Sequence, residues 1–117
     1  MLSLALPGKV YLCLTPADMR KSFDGLSELV RAGLGGDPLS GDLFVFRNQR
    51  GDRLKLLYWD TDGLAVWAKR LERGTFQFPA ASSTCRVEVS STELALILGG
   101  IDLRSAKRRP RYQRDVS

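Results

Sequence analysis

After Asp37-Pro38 the apolar residues change from helical to alternating spacing, and three short polar turns follow in close succession. Leu43-Phe44-Val45-Phe46-Arg47 and Leu54-Lys55-Leu56-Leu57-Tyr58-Trp59 are apolar runs joined by Asn48-Gln49-Arg50-Gly51-Asp52, a hairpin with a longer loop. Asp60-Thr61-Asp62-Gly63 is the second turn and leads into Leu64 to Leu71. Glu72-Arg73-Gly74 is the third, before Thr75-Phe76-Gln77-Phe78, which Pro79 ends. Runs tied this closely pair with their sequence neighbours, so the spacing predicts a meander of antiparallel strands.

Upstream, Lys9 to Leu14 carries an apolar row at Val10, Leu12 and Leu14 and reads as a strand. Thr15-Pro16-Ala17-Asp18 has the chemistry of a helix start: a capping hydroxyl, a proline whose missing N–H is harmless there, and an acid in the first turn. Met19, Phe23, Leu26, Val30 and Leu34 then line one face of a helix that stops near Gly33 to Gly36. Gly25 within it costs about 1 kcal/mol relative to alanine, which points to close packing at that position. Downstream, Arg86-Val87-Glu88-Val89 reads as a last strand. Ser90-Ser91-Thr92-Glu93 has capping-box spacing ahead of Leu94, Ile97 and Leu98, with Gly99-Gly100 as the stop. The expected fold class is α+β: a single domain over residues 1–103, with a mostly antiparallel meander sheet, an N-terminal helix and a short C-terminal helix.

A chain of 117 residues has room for one domain of common size. Its 18 Lys and Arg against 13 Asp and Glu give a formal charge of +5. Arg104, Lys107, Arg108, Arg109, Arg111 and Arg114 against the single acid Asp115 place all of that excess in residues 104–117. The body is charge-balanced, and the basic tail, without apolar periodicity, is expected to be disordered in isolation. The absence of histidine removes the usual general base and the commonest transition-metal ligand. Cys13 and Cys85 are too few for a disulfide framework, and Met1 to Leu6 does not read as a signal peptide, so a reducing cytoplasm is the expected compartment. No apolar run approaches the ~20 residues that span a bilayer.

Two basic groups are candidates for nucleic-acid contact. The tail arginines can pair with phosphates and release counterions, but they carry no means of reading sequence. Alternatively, the tail is a solvated segment or docks on an acidic protein partner. Around the first hairpin turn stand Arg47, Arg50, Arg53 and Lys55, with Arg53 and Lys55 on the same side of the strand as Leu57 and Trp59. An aromatic beside such a loop can stack on an unpaired base, although tryptophans such as Trp59 and Trp67 more often belong to a core. Asp60 and Asp62 suit the turn before Gly63 better than a Mg²⁺ site, and neither cysteine has a histidine to activate it. No metal or cofactor is expected.

Several of these motifs together resemble a known family. Asp18-Met19-Arg20-Lys21-Ser22-Phe23-Asp24-Gly25-Leu26, Phe44-Val45-Phe46-Arg47 through Arg50-Gly51-Asp52, Tyr58-Trp59-Asp60 and Lys69-Arg70-Leu71-Glu72-Arg73-Gly74 occur in this order. The set is similar to TnpB, the second-open-reading-frame protein of the sixty-six family of bacterial insertion sequences. The resemblance spans residues 7–104, and Ser22 and Leu103 depart from it where glycine and tryptophan are expected. It implies a helper in DNA transposition, encoded beside a separate, larger transposase that carries the cut-and-join chemistry. No family active site carries over to this chain. Arg20, Lys21, Arg47, Arg50, Lys69, Arg70 and Arg73 match the family's basic positions.

The expectation is therefore a non-enzymatic accessory factor that contacts DNA at the element ends through Arg47, Arg50, Arg53, Lys55, Arg104, Lys107, Arg108, Arg109, Arg111 and Arg114. The alternative is a protein–protein adaptor that binds the transposase or another element-encoded accessory protein. For either, the strand edge of a meander is open to strand addition or to pairing with a second copy.

Overall fold

A computed structural model describes residues 8–79 and 85–99, together with the backbone of 101–102 and 107–108. The elements are β1 (Val10–Cys13), α1 (Phe23–Glu28), which runs on as a π-helical segment (Leu29–Gly33), β2 (Leu43–Arg47), β3 (Arg53–Asp60), β4 (Gly63–Arg70), β5 (Arg86–Val89) and α2 (Ser91–Gly99). Two short strands, β6 (Ile101–Asp102) and β7 (Lys107–Arg108), follow. The main sheet has the order β4-β3-β2-β1-β5. The hairpins β2-β3 and β3-β4 form as expected and β5 pairs antiparallel with β1, but β1 and β2 are parallel. Parallel neighbours need a crossover, and the segment containing α1 supplies it.

Both faces of the sheet are covered. In β2, Leu43, Phe44, Val45 and Phe46 are all buried, because alternate side chains enter different cores. Leu43 and Val45 join Val10, Leu12, Leu54 and Leu56 beneath Leu94 and Ile97 of α2. Phe44 and Phe46 join Cys13 and Leu57 beneath Leu26 and Val30 of α1 and Leu34 just beyond it. The two helices thus lie on opposite faces, as an α+β sandwich with the sheet in the middle.

Two local expectations are corrected, and a third, close packing at Gly25, is met. The first helix begins at Phe23 and not at Pro16. The Ala17 N–H donates to the Arg47 carbonyl at 2.9 Å, and Asp18 forms a turn in which its carboxylate accepts from the Arg20 N–H at 2.9 Å and its carbonyl from the Lys21 N–H at 3.1 Å. Those bonds hold residues 17–21 outside the helix. Gly25 packs closely against the Lys21 side chain, 3.0 Å from where a Cβ would stand. Thr75 to Phe78 is not a strand of the sheet: Phe76 plugs the α2-side core while its N–H donates to Gly51 at 2.8 Å.

The second helix follows its capping box closely, since the Ser90 hydroxyl accepts from the Glu93 N–H and the Glu93 carboxylate accepts from the Ser90 N–H, both at 3.0 Å. Beyond α2, Ile101 pairs with Arg108 and Asp102 with Lys107, so paired backbone extends past residue 103. The rest of the 104–117 segment, on which disorder was expected, lies outside the described residues.

The β3-β4 tip is strained. Thr61 holds φ at 56°, and the Asp62 N–H donates to the Asp60 carbonyl across it. A β-branched residue in the left-handed region is costly. Thr61→Asn, which tolerates the left-handed region without glycine's unfolded-chain entropy, is therefore expected to raise stability by about 1 kcal/mol, read as a higher urea midpoint; an unchanged or lower midpoint would show that the turn stores no such strain.

Candidate nucleic-acid interface

Two adjoining grooves, of about 380 and 440 Å³, open at the end of the β3-β4 hairpin remote from Thr61 and share Met19 and Arg53. Their walls come from three places. The hairpin supplies Arg53, Lys55, Lys69 and Arg70, the β2-β3 turn supplies Arg50, and the Asp18 turn supplies Arg20. Folding thus brings Arg70 to the basic group around the first hairpin turn, with Lys69 beside it on the other face of the strand.

The register explains the convergence. The turn at residues 61–62 pairs Asp60 with Gly63, and counting back along the ladder sets Arg53 directly opposite Arg70 and Lys55 opposite Ala68. By alternation from Leu57, the side chains of Arg53, Lys55 and Arg70 stand on the α1 face. Like charges directly opposed across a ladder destabilise it. Arg70 has Glu72 at 3.4 Å, an exposed pair that is worth little.

Other charges at the grooves are tied to the fold. Lys55 Nζ donates to the Lys21 carbonyl at 2.8 Å, which fastens the approach to α1 onto β3. Arg20 grips Asp18 with Nε at 3.1 Å and Nη2 at 2.8 Å. Hydrogen bonding from the Arg20 side chain, with help from its backbone N–H and its charge, pulls the Asp18 carboxyl down to about 2. Because that value is depressed, the clamp is complete above the ordinary carboxyl value of 3.8 and is lost as pH falls through about 2. The β2-β3 turn is held by Asn48, which donates to Asp52 at 2.8 Å and accepts from the Arg53 N–H at 3.0 Å. The Asn48 bond also lowers the Asp52 carboxyl.

Arg47 is placed differently from its sequence neighbours. It is half-buried, its Nη1 donates to the Phe76 carbonyl at 3.0 Å, and its guanidinium lies 4.4 Å from the centre of the Phe78 ring. Burial pushes its pKa down, yet a guanidinium keeps its proton. Its contacts hold Phe76 and Phe78 on the α2 side of the sheet, away from the grooves. Of the aromatic candidates, Trp67 and Tyr58 pack against the α2-side core. Trp59 stands at the far end of β3 from Arg53, about 20 Å along the strand, too far to stack on a base held at the grooves.

The remaining chemistry is sparse. Among the described residues no group of three or more His, Cys, Asp or Glu side chains could hold a metal ion. Cys13 is buried, and burial raises its thiol pKa; Cys85 is exposed, and its thiol donates to the Gly33 carbonyl at 3.2 Å. No helix among the described residues is long and apolar enough to cross a membrane. Arg104, Arg109, Arg111 and Arg114 lie outside the described residues, and Lys107 and Arg108 are described by their backbone alone.

Comparison with known proteins adds two relatives from Sinorhizobium fredii, each called an uncharacterized protein. One, y4jC, is 38% identical over 102 residues, which cover 87% of this chain and 86% of the relative. The other, y4hO, is 38% identical over 96 residues, covering 82% of this chain and 83% of the relative. No solved structure matches the chain. The model of the IS66 Orf2-like proteins matches residues 8–108, a span that holds both grooves and all the strands and helices described above. The chain thus belongs to the IS66 Orf2-like family, the accessory proteins of an insertion-sequence group.

Proposed function

We propose that the protein assists transposition by binding the DNA backbone, without catalysis of its own, and so helps assemble the transposase at the element ends. The body contributes Arg50, Arg53, Lys55 and Arg70 at the grooves, and the tail contributes Arg104, Lys107, Arg108, Arg109, Arg111 and Arg114. The observation that carries this reading is the Arg53–Arg70 opposition. A ladder that sets two exposed arginines against each other weakens its own end, and a phosphate between them would turn that repulsion into two charge-assisted contacts.

Phosphate contacts position a protein without reading bases, so affinity should be similar for element-end and scrambled duplexes of equal length. Fluorescence anisotropy with both duplexes, in the same buffer, checks this. A preference of tenfold or more for the element end would contradict purely backbone binding. The adaptor reading is favoured by a separate observation, the edge position of β4. A pull-down with the transposase after nuclease treatment distinguishes the two: DNA bridging is lost on digestion, whereas direct contact survives.

A further inference from the structure

From the edge strand β4 we infer that the protein pairs with a second copy of itself, β4 to β4 and antiparallel, to make one continuous sheet. Among the described residues no strand lies on the outer side of β4, and none of its side chains is buried. Edge strands are usually protected by a proline, a bulge or an inward charge. Gly63 to Ala68 carries no charge and no proline, and its ladder to β3 runs without a break. Such an edge is a template for another strand.

The charges choose the second copy and its direction. Asp60 and Asp62 stand at one end of the strand, and Lys69 and Arg70 at the other. Parallel pairing would set like against like, whereas antiparallel pairing brings each acidic end to a basic end. The side chains choose the register. With Val66 opposite Val66 of the second copy, Leu64 meets Ala68, Trp67 meets Ala65, and Arg70 comes to Asp62. Each large residue then faces a small one. Centring the pair on Trp67 would oppose two tryptophans and leave Arg70 against Leu64.

A single strand edge is small beside the ~1,600 Å² of a standard interface, so association in the micromolar range is expected. In this arrangement the two α1 faces lie on the same side of the sheet, and the two Arg70 residues are about 27 Å apart along the strands. That approaches one turn of duplex DNA, ~34 Å, a correspondence that rests on the DNA-binding reading. The pairing itself does not rest on it.

Sedimentation equilibrium of the full chain without DNA tests the pairing. The mass is expected to rise from one chain towards two between about 1 and 200 µM. Arg70→Glu, which sets a carboxylate against Asp62 of the second copy, should weaken association tenfold or more, and adding Asp62→Lys should restore it. In the unaltered chain, amide exchange over residues 64–69 should slow as concentration rises, a readout that does not depend on any variant folding. A single-chain mass throughout, association indifferent to Arg70→Glu, failure of the double variant to restore it, or exchange independent of concentration would each overturn the pairing. DNA binding is measured separately, so it stands or falls independently.

Discussion

Phe76→Ala is expected to destabilise the fold by about 3–5 kcal/mol, the largest effect of any change considered. Phe76 is fully buried in the α2-side core although it belongs to no strand. Its backbone is clipped at both polar groups: its N–H donates to Gly51, and its carbonyl accepts from Arg47. Such a position cannot collapse easily around a smaller side chain, so most of the ring's volume should remain as a cavity. Against a typical domain stability of about 5–15 kcal/mol the loss is large. Urea denaturation should show a sharp fall in midpoint, and a fall worth under about 1 kcal/mol would mean that the ring is not part of the core. Arg47→Ala should also lower the midpoint, through loss of the Phe76 and Phe78 contacts. It should leave the salt dependence of DNA binding unchanged, and a flatter dependence would move Arg47 back among the contact residues.

Replacing Arg50, Arg53 and Arg70 together by alanine is expected to weaken duplex binding on the order of 10²-fold at moderate salt, from the loss of about three phosphate contacts. The stability of this variant supplies an independent readout. Arg53 and Arg70 oppose each other, so removing both relieves repulsion, and the urea midpoint should hold or rise. A variant that binds weakly while folding at least as well identifies these arginines as contact residues. A variant that loses stability and keeps its affinity would assign them to the fold.

The hairpins β2-β3 and β3-β4, the capping box at Ser90 and the Leu26, Val30 and Leu34 part of the first helical face were legible because each rests on contacts between near neighbours, whereas Phe23, expected on that face, is 48% exposed and Met19 lies before the helix. What escaped depended on distant residues. The start of α1 is displaced because the Ala17 N–H is taken by Arg47, which no local capping signal reveals. Thr75-Phe76-Gln77-Phe78 alternates like a strand, but the Phe76 N–H donates to the Gly51 carbonyl in a turn and the Phe76 carbonyl accepts from the Arg47 side chain. The run Leu43 to Phe46 did contain a usable signal: four apolar residues in succession imply burial on both faces, hence a helix on each side. The candidate site was half visible. Arg50, Arg53 and Lys55 are close in sequence, whereas the position of Arg70 follows only from the exact hairpin register, and the inward use of Arg47 only from Phe76 and Phe78.

The salt dependence of duplex binding tests the central claim most directly. With three groove arginines and the tail residues Arg109, Arg111 and Arg114 each neutralising a phosphate, log K against log[salt] should slope at about −5 or more steeply. Truncation after Arg108 preserves the β6-β7 pair and should reduce the slope in magnitude by about 3. The groove variant should reduce it by a similar amount, and the combination by about 5, leaving the part that Lys55, Arg104, Lys107 and Arg108 carry. A shallow slope for the full chain, or one that neither change alters, would contradict the account.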